Sequence, residues 1–485
     1  MSGVSVSVPG PRAAVALLAA GALPALALPH ARLGLGFALS LVAIGCAAGA
    51  MAGHRPRGAG SAFAVLGLAL AAQAVLRDDA FLVIVDALGA SWAATLALGG
   101  AARWPALVRA AVGPWRHALG GLGLAVVTLQ GLVPARRGSA VGPVVRGATL
   151  AAVLVLAFGG LFASADRAFA ELAGGALVPD IQADDVLLRA VLLFGALALV
   201  GGLVIAAAPQ RQGPSTAGPL TRRGLERTEW VMPLAALVLL FAAFVAVQLT
   251  VLFGGQRHVL ATAGLGYGEY ARKGFGQLVC VAGLTLAVIA GAVRLARRPG
   301  ARDELLLRGL LGVLCALTGV VLASALHRLA LVEDAYGFTR VRLAGHAVVL
   351  ALAALFALVA LAGVWRPAAR HLPRLAVALT LGGLLAYSAS APDARIARKN
   401  VERFARTGHL DEGYVQSLSA EAVPALVRLP EKERRCALAE QRRRLGTSDG
   451  GWAAANRARS HARAALQRAP AAGSDRDCLR GYVGW

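Results

Sequence analysis

Carboxylates and imidazoles stand out in a chain made mostly of Leu, Ala, Val and Gly, and three short polar segments place some of them beside arginines and tyrosines. The first holds Ser164, Asp166, Arg167 and Glu171. It offers Asp166 as a base; its plainer reading is a corner in which Arg167 and Glu171 pair at i,i+4 and Ser164 or Asp166 caps a turn. The second begins Gln256-Arg257-His258 and continues to Tyr267-Gly268-Glu269-Tyr270-Ala271-Arg272-Lys273. Among tyrosines and cations, Glu269 can act as a general base or bind a polyhydroxylated headgroup, or it can pair with Arg272 or Lys273. Glycines at 264, 266 and 268 are a weak phosphate-loop signal, because no strand precedes them and no Lys-Ser pair follows. The third runs from His327-Arg328 through Glu333-Asp334-Ala335-Tyr336-Gly337-Phe338-Thr339-Arg340 to Arg342, with His346 one turn further.

In an enzyme these residues divide into roles. Glu269, Asp334 or Asp166 would be the base, with His258 or His327 beside it. Arg257, Tyr267, Tyr270, Arg272, Arg328, Tyr336 and Arg340 would hold a phosphate or sugar. The alternative is an ion-paired turn in which Glu333 and Asp334 satisfy Arg328, Arg340 and Arg342. No metal is expected, because His258, His327 and His346 with Glu333 and Asp334 match no ligand spacing such as His-Glu-x-x-His. No cofactor is implied.

One acidic residue lies inside an apolar run. Asp86 falls one heptad after Asp79, about two helical turns below a surface. An intramembrane carboxylate is expensive, about 2.5–3.5 kcal/mol on insertion scales. It reads either as a proton or cation site or as a carboxylate hydrogen-bonded within a bundle. Gln73, Gln130 and Gln248 read as interhelical glue.

The elements that must position these residues are membrane helices. Of 485 residues, 57% are hydrophobic and 15% charged, which excludes an ordinary soluble chain. A hydrocarbon core about 30 Å thick needs roughly 20 apolar residues in helical form. Such runs occur near 13–29, 33–53, 61–76, 80–102, 144–163, 186–208, 229–253, 274–296, 305–328, 342–365 and 373–391. Pro24 and Ala25-Leu26-Ala27 leave open that residues 1–28 are a cleaved signal peptide. Residues 105–133, with Trp104, Trp115, Arg109 and Arg116 in or beside them, read as a helix lying in the interface.

With the N-terminus in the cytoplasm, the inner loops carry about twice as many Lys and Arg as the outer ones. Eleven spans then put residues 392–485 outside. That tail holds Cys436 and Cys478, whose bridge would close a loop of roughly 40 residues and contribute about 4 kcal/mol; two free thiols in a cytoplasmic tail are the alternative. The formal charge of +23 comes almost wholly from Arg, with lysine only at 273, 399 and 432. It is sorted by membrane side and not clustered with aromatics, so the expected partner is the lipid bilayer and not nucleic acid.

The expected architecture is all-α. N-terminal membrane helices and an interfacial helix (1–143) precede a membrane core (144–391) and a small helical extracytoplasmic domain (392–485). Several strings, in order, carry a family resemblance: Phe162-Ala-Ser-Ala-Asp166, Gly254 to Phe275, Ala325-Leu-His-Arg-Leu329, Asp334 to Arg340, and Pro392-Asp-Ala-Arg-Ile-Ala-Arg-Lys-Asn400. They resemble bacterial polytopic membrane proteins classed as domain of unknown function 4173, related to 4153. The resemblance implies no activity. This chain has Lys399 where the family often has a tyrosine. Three functions are consistent with the sequence: an accessory or signalling protein of the cell envelope that meets envelope proteins through its C-terminal domain, an enzyme acting on lipid-linked or headgroup substrates, and a transporter.

Overall fold

A computed structural model describes residues 11–53, 56–100, 104–130, 183–208, 227–253, 267–446 and 451–469. Among them every regular element is a helix. In order these are α1 (Pro11–Ala27), α2 (Leu35–Ala52), α3 (Ala59–Leu76), α4 (Ala80–Gly99), α5 (Trp104–Arg116), α6 (Ala118–Gln130), α7 (Ala183–Ala207), α8 (Arg227–Phe253) and α9 (Tyr267–Leu295). They continue with α10 (Ala301–Tyr336), α11 (Arg340–Val364), α12 (Arg366–Ala389), α13 (Pro392–Thr407), α14 (Glu412–Gln416), α15 (Val423–Leu426), α16 (Glu431–Gly446) and α17 (Arg457–Arg468). Short 3-10 turns precede α15 and α17.

Among the described residues, seven helices are long and apolar enough to cross a membrane: those containing Leu35–Ala52, Ala59–Leu76, Ala80–Gly99, Arg227–Ala246, Ala301–Asp334, Arg340–Val364 and Ala369–Ala389. Shorter apolar stretches, Arg12–Ala27, Val191–Ala207 and Val281–Leu295, lie in α1, α7 and α9. The expected run at 144–163 lies outside the described residues.

The contacts divide the chain into two compact units. The first comprises residues 1–210, 384–391 and 411–485. Its core joins α1, α2, α6 and α7 through Leu17, Ala47, Ala125, Val200 and Leu203. Small residues let helices of this unit approach: a side chain at Gly121 of α6 would run into the backbone of Gly202 of α7, and one at Gly67 of α3 would press on Ala93 of α4. Consecutive helices joined by short links alternate direction, so the 28–34 and 77–79 links share one end of α1 to α4.

The single interfacial helix expected over 105–133 is instead two, α5 and α6, parted at His117. Pro114, inside α5, costs the preceding turn of that helix one backbone hydrogen bond. Trp104 and Trp115 on α5 are exposed, whereas α6 packs along α7.

The second unit comprises residues 211–383 and 392–410. Trp230, Leu278, Ala282, Leu314, Leu322 and Val349 form its core between α8, α9, α10 and α11. At 36 residues α10 is about 54 Å long, well beyond a hydrocarbon core of about 30 Å, so it must extend past the apolar layer. Gly337 ends it with φ 81, a left-handed conformation suited to glycine, and Thr339 caps α11.

Candidate functional site

In the first unit the densest polar cluster centres on Arg77-Asp78-Asp79, the link between α3 and α4. Asp79 is the N-cap of α4, accepting from the backbone N–H of Phe81 (2.9 Å) and Leu82 (3.2 Å), so its role is local. Asp78 turns toward the C-terminal segment. Its carboxylate pairs with Arg459 of α17, a guanidinium only 2% exposed, and Arg32 lies 3.7 Å away. The Asp78 N–H donates to Glu421, and the Ala420 N–H donates back to the Asp78 carboxylate, both at 3.3 Å.

Asn456 joins the same two segments. Its Oδ1 caps α17 at the Arg459 N–H (3.2 Å), while its Nδ2 donates to the carbonyls of Ala74 (3.0 Å) and Arg77 (2.8 Å). One amide thus satisfies unpaired backbone groups at the start of α17 and the end of α3. Nearby, Leu35 N–H donates to Ala455 O at 3.0 Å; side chains at Gly34 or Gly36 would collide with residues 453–455. Ala420, Glu421 and residues 453–459 are therefore seated on the end of the helices that carries the 28–34 and 77–79 links.

Beneath this surface lies Asp86, 1% exposed. The Ser388 hydroxyl sits 2.7 Å from Asp86 Oδ2 and 3.4 Å from Gln73 Oε1; having one proton, it donates to the nearer. Arg77 donates to Gln73 Oε1 (3.4 Å) and to Ala389 O (2.8 Å), and its other terminal nitrogen lies 3.6 Å from Glu421. Asp86 with Ser388, and Gln73, Arg77, Glu421, Asp78 and Arg459, thus form one polar cluster from an apolar helix to the C-terminal segment, joined where Arg77 donates to the Ala389 carbonyl next to Ser388. Asp86 Oδ1 is buried without a hydrogen-bond partner among the described residues.

In the second unit, two of the strings that carry the family resemblance meet. Arg340 pairs bidentately with Asp393, Nε to Oδ1 at 2.9 Å, and this carboxylate is the partner it takes from α13. Asn400 accepts from Phe338 N–H and donates to Phe338 O, both at 2.9 Å. Gly337 is required there, since a Cβ would stand 2.7 Å from Asn400 Oδ1. Arg342 donates to Gly337 O and lies over the Tyr336 ring, 5.9 Å from its centroid. Lys399 points outward and pairs with Glu402 at 3.3 Å, so its position takes no part in the Asn400 bracket.

Among the proposed catalytic residues, Asp334 and His327 are exposed on α10, and the Asp334 carbonyl accepts from Arg403 at 3.4 Å. Seven residues separate the two, about 10 Å along the helix, beyond direct proton transfer. Arg328 is half-buried and Tyr336 exposed. Buried Glu333 faces His346 at 3.4 Å. Tyr267, Glu269, Tyr270 and Arg272 lie in the first turns of α9. Asp166, Arg257, His258 and Cys478 lie outside the described residues. Cys436 is disulfide-bonded, and Cys46 and Cys315 are free. No group of three metal-ligating side chains converges among the described residues.

Sequence reasoning missed Asp78, Glu421, Ser388, Asn456 and Arg459. The charged triplet at 77–79 was the available signal; nothing in the sequence separates Arg459 from Arg457 or Arg463.

The helices and their buried polar contacts define a multi-pass α-helical membrane protein. The chain belongs to the family described as a domain of unknown function, DUF4153, whose model matches residues 60–429. The family shown is thus 4153 and not the related 4173, and its match begins well before Phe162. No curated protein and no solved structure matches the chain.

Proposed function

We propose that this protein is an eleven-span cytoplasmic-membrane protein, N-terminus inside, that acts as an accessory or signalling component of the cell envelope. Residues 392–485 form its extracytoplasmic part and contact envelope partners. The polar cluster from Asp86 to Arg459 carries this reading, because it ties a carboxylate within an apolar helix to the seating of the C-terminal segment. A ligand or partner that moves either end changes the hydrogen bonds available at the other, which is the physical content of coupling. The Cys436–Cys478 bridge belongs to the same reading, since disulfides persist in oxidising compartments.

A reporter fused after Trp485 tests the placement: activity of an extracytoplasmic reporter supports it, and activity of a cytoplasmic one sinks it. Deleting residues 392–485 should abolish the cellular phenotype of the full-length protein, whereas Glu269→Ala and Asp334→Ala should leave it intact. Loss of phenotype in either alanine variant at normal expression would favour an enzyme acting on lipid-linked or headgroup substrates.

The Asp86 Oδ1, without a hydrogen-bond partner among the described residues, favours a second reading, ion transport. Asp86→Asn would then stop flux into vesicles containing the purified protein. Unchanged flux, or no flux in the unaltered protein, removes this reading.

A further inference from the structure

Along the edge where α17 meets the end of α3 lies a cleft of about 370 Å³, lined by Val75, Asn456, Arg457, Ser460 and Arg463 together with Gly451, Ala454 and Ala455 of the preceding turn. Its chemistry differs from that of the Asp78 cluster. α17 has four arginines and no acidic residue. Arg459 turns inward to Asp78, whereas Arg457, Ser460 and Arg463, three residues apart, line the cleft. Arg463 is held by Nε donation to Leu445 O at 3.3 Å. Arg457 is exposed and meets no carboxylate among the described residues. The opening turn of α17 adds its positive dipole end to the same wall.

The opposite wall indicates the kind of ligand. Val75 belongs to the last turn of α3, a helix long and apolar enough to cross a membrane, so the cleft stands where hydrocarbon gives way to headgroups. Trp452, 59% exposed, lies beside the cleft on the turn that rests against Gly36 at the start of α2. Exposed indoles prefer this level of a bilayer. Two guanidiniums there match a phosphate, with acyl chains falling along α3.

We propose that this cleft binds a phosphate group, presented to it by the headgroup of an anionic phospholipid. The site does not depend on which face of the membrane the C-terminal segment occupies.

The test uses the full-length protein in mixed phosphatidylcholine and phosphatidylglycerol nanodiscs, with retained lipid counted by native mass spectrometry after mild extraction. The unaltered protein should retain phosphatidylglycerol in preference to phosphatidylcholine. Arg457→Gln, at an exposed position, should lower that preference about fivefold, the effect expected of one basic residue at an anionic surface. Arg457→Gln with Arg463→Gln should abolish it. Equal retention by the unaltered protein and both variants overturns the proposal. In a second arm, inorganic phosphate and short-chain phosphatidylglycerol are compared for thermal stabilisation of the detergent-solubilised protein. Stabilisation by the lipid alone supports the lipid source; equal stabilisation by both, lost in the double variant, keeps the phosphate site and overturns the lipid source.

Discussion

Arg459 and Asp78, far apart in sequence, form an ion pair in which the arginine side chain is 2% exposed and the aspartate 7%. Removing one partner of a buried pair costs about 3–5 kcal/mol, because the other charge remains desolvated and uncompensated. Asp78→Leu and Arg459→Leu should therefore each loosen the C-terminal segment, detected as faster limited proteolysis of the full-length protein. Changing both residues to leucine should cost much less than the sum of the single changes. Additive losses in that double-mutant cycle would show that the pair does not hold the segment.

The bracket between Asn400 and Phe338 makes a second prediction. Two hydrogen bonds with a net worth of about 1 kcal/mol each disappear in Asn400→Ala, leaving a backbone N–H and carbonyl to find water. Gly337→Ala should be worse, since it combines φ 81 with a Cβ 2.7 Å from Asn400 Oδ1. Lys399→Tyr, at an exposed position outside the bracket, should be close to neutral. Denaturant unfolding of the three variants in detergent checks the order; a neutral Gly337→Ala would contradict the geometry.

Ser388 supplies the hydrogen bond that the structure gives to Asp86 Oδ2. Ser388→Ala leaves a buried acceptor without that donor and should cost about 1–3 kcal/mol. Asp86→Asn keeps an oxygen for the hydroxyl and should cost less. If melting temperatures show Ser388→Ala to be silent, the contact does not contribute to stability.

Glu440 on α16 gives a pH dependence. It accepts from Arg443 through both oxygens at 2.9 Å and from Arg444 at 2.6 Å, and the Arg443 hydrogen bond, ahead of the opposing effect of burial, holds its carboxyl below the ordinary glutamate range. A lowered folded-state pKa means that the unfolded chain binds the proton first as acid is added. The stabilisation is thus fully present above the ordinary glutamate value of about 4.3 and is lost as pH falls through the lower folded value. Glu440→Gln should flatten that acid limb by lowering stability slightly at neutral pH, the loss being small as expected for pairs near the surface, while leaving stability below the folded value unchanged. Melting curves across acid pH measure it; an unaltered limb would assign the loss to other carboxylates.

Much of the architecture was legible because its causes are local. Lipid offers no partner to a backbone amide, so an apolar run of sufficient length must be a helix wherever it lies. Ten of the eleven expected runs coincide with described helices for that reason. The turn at Gly337-Phe338-Thr339 was visible as glycine and a capping residue between two such runs. The pairing of charges was not visible. Arg340 suited Glu333, Asp334 or a substrate equally well, and only the packing of α13 brings Asp393 to it.

The C-terminal segment shows where sequence stops and tertiary structure begins. Composition alone established a helical membrane protein and its polar links. It treated Arg457, Arg459 and Arg463 alike, because side-chain chemistry does not record burial. The fold turns Arg459 inward to Asp78 and leaves Arg457 and Arg463 along a cleft, so that identical residues become a structural pair and a candidate phosphate site. That difference arises from contacts distant in sequence, which residue spacing along α17 cannot encode.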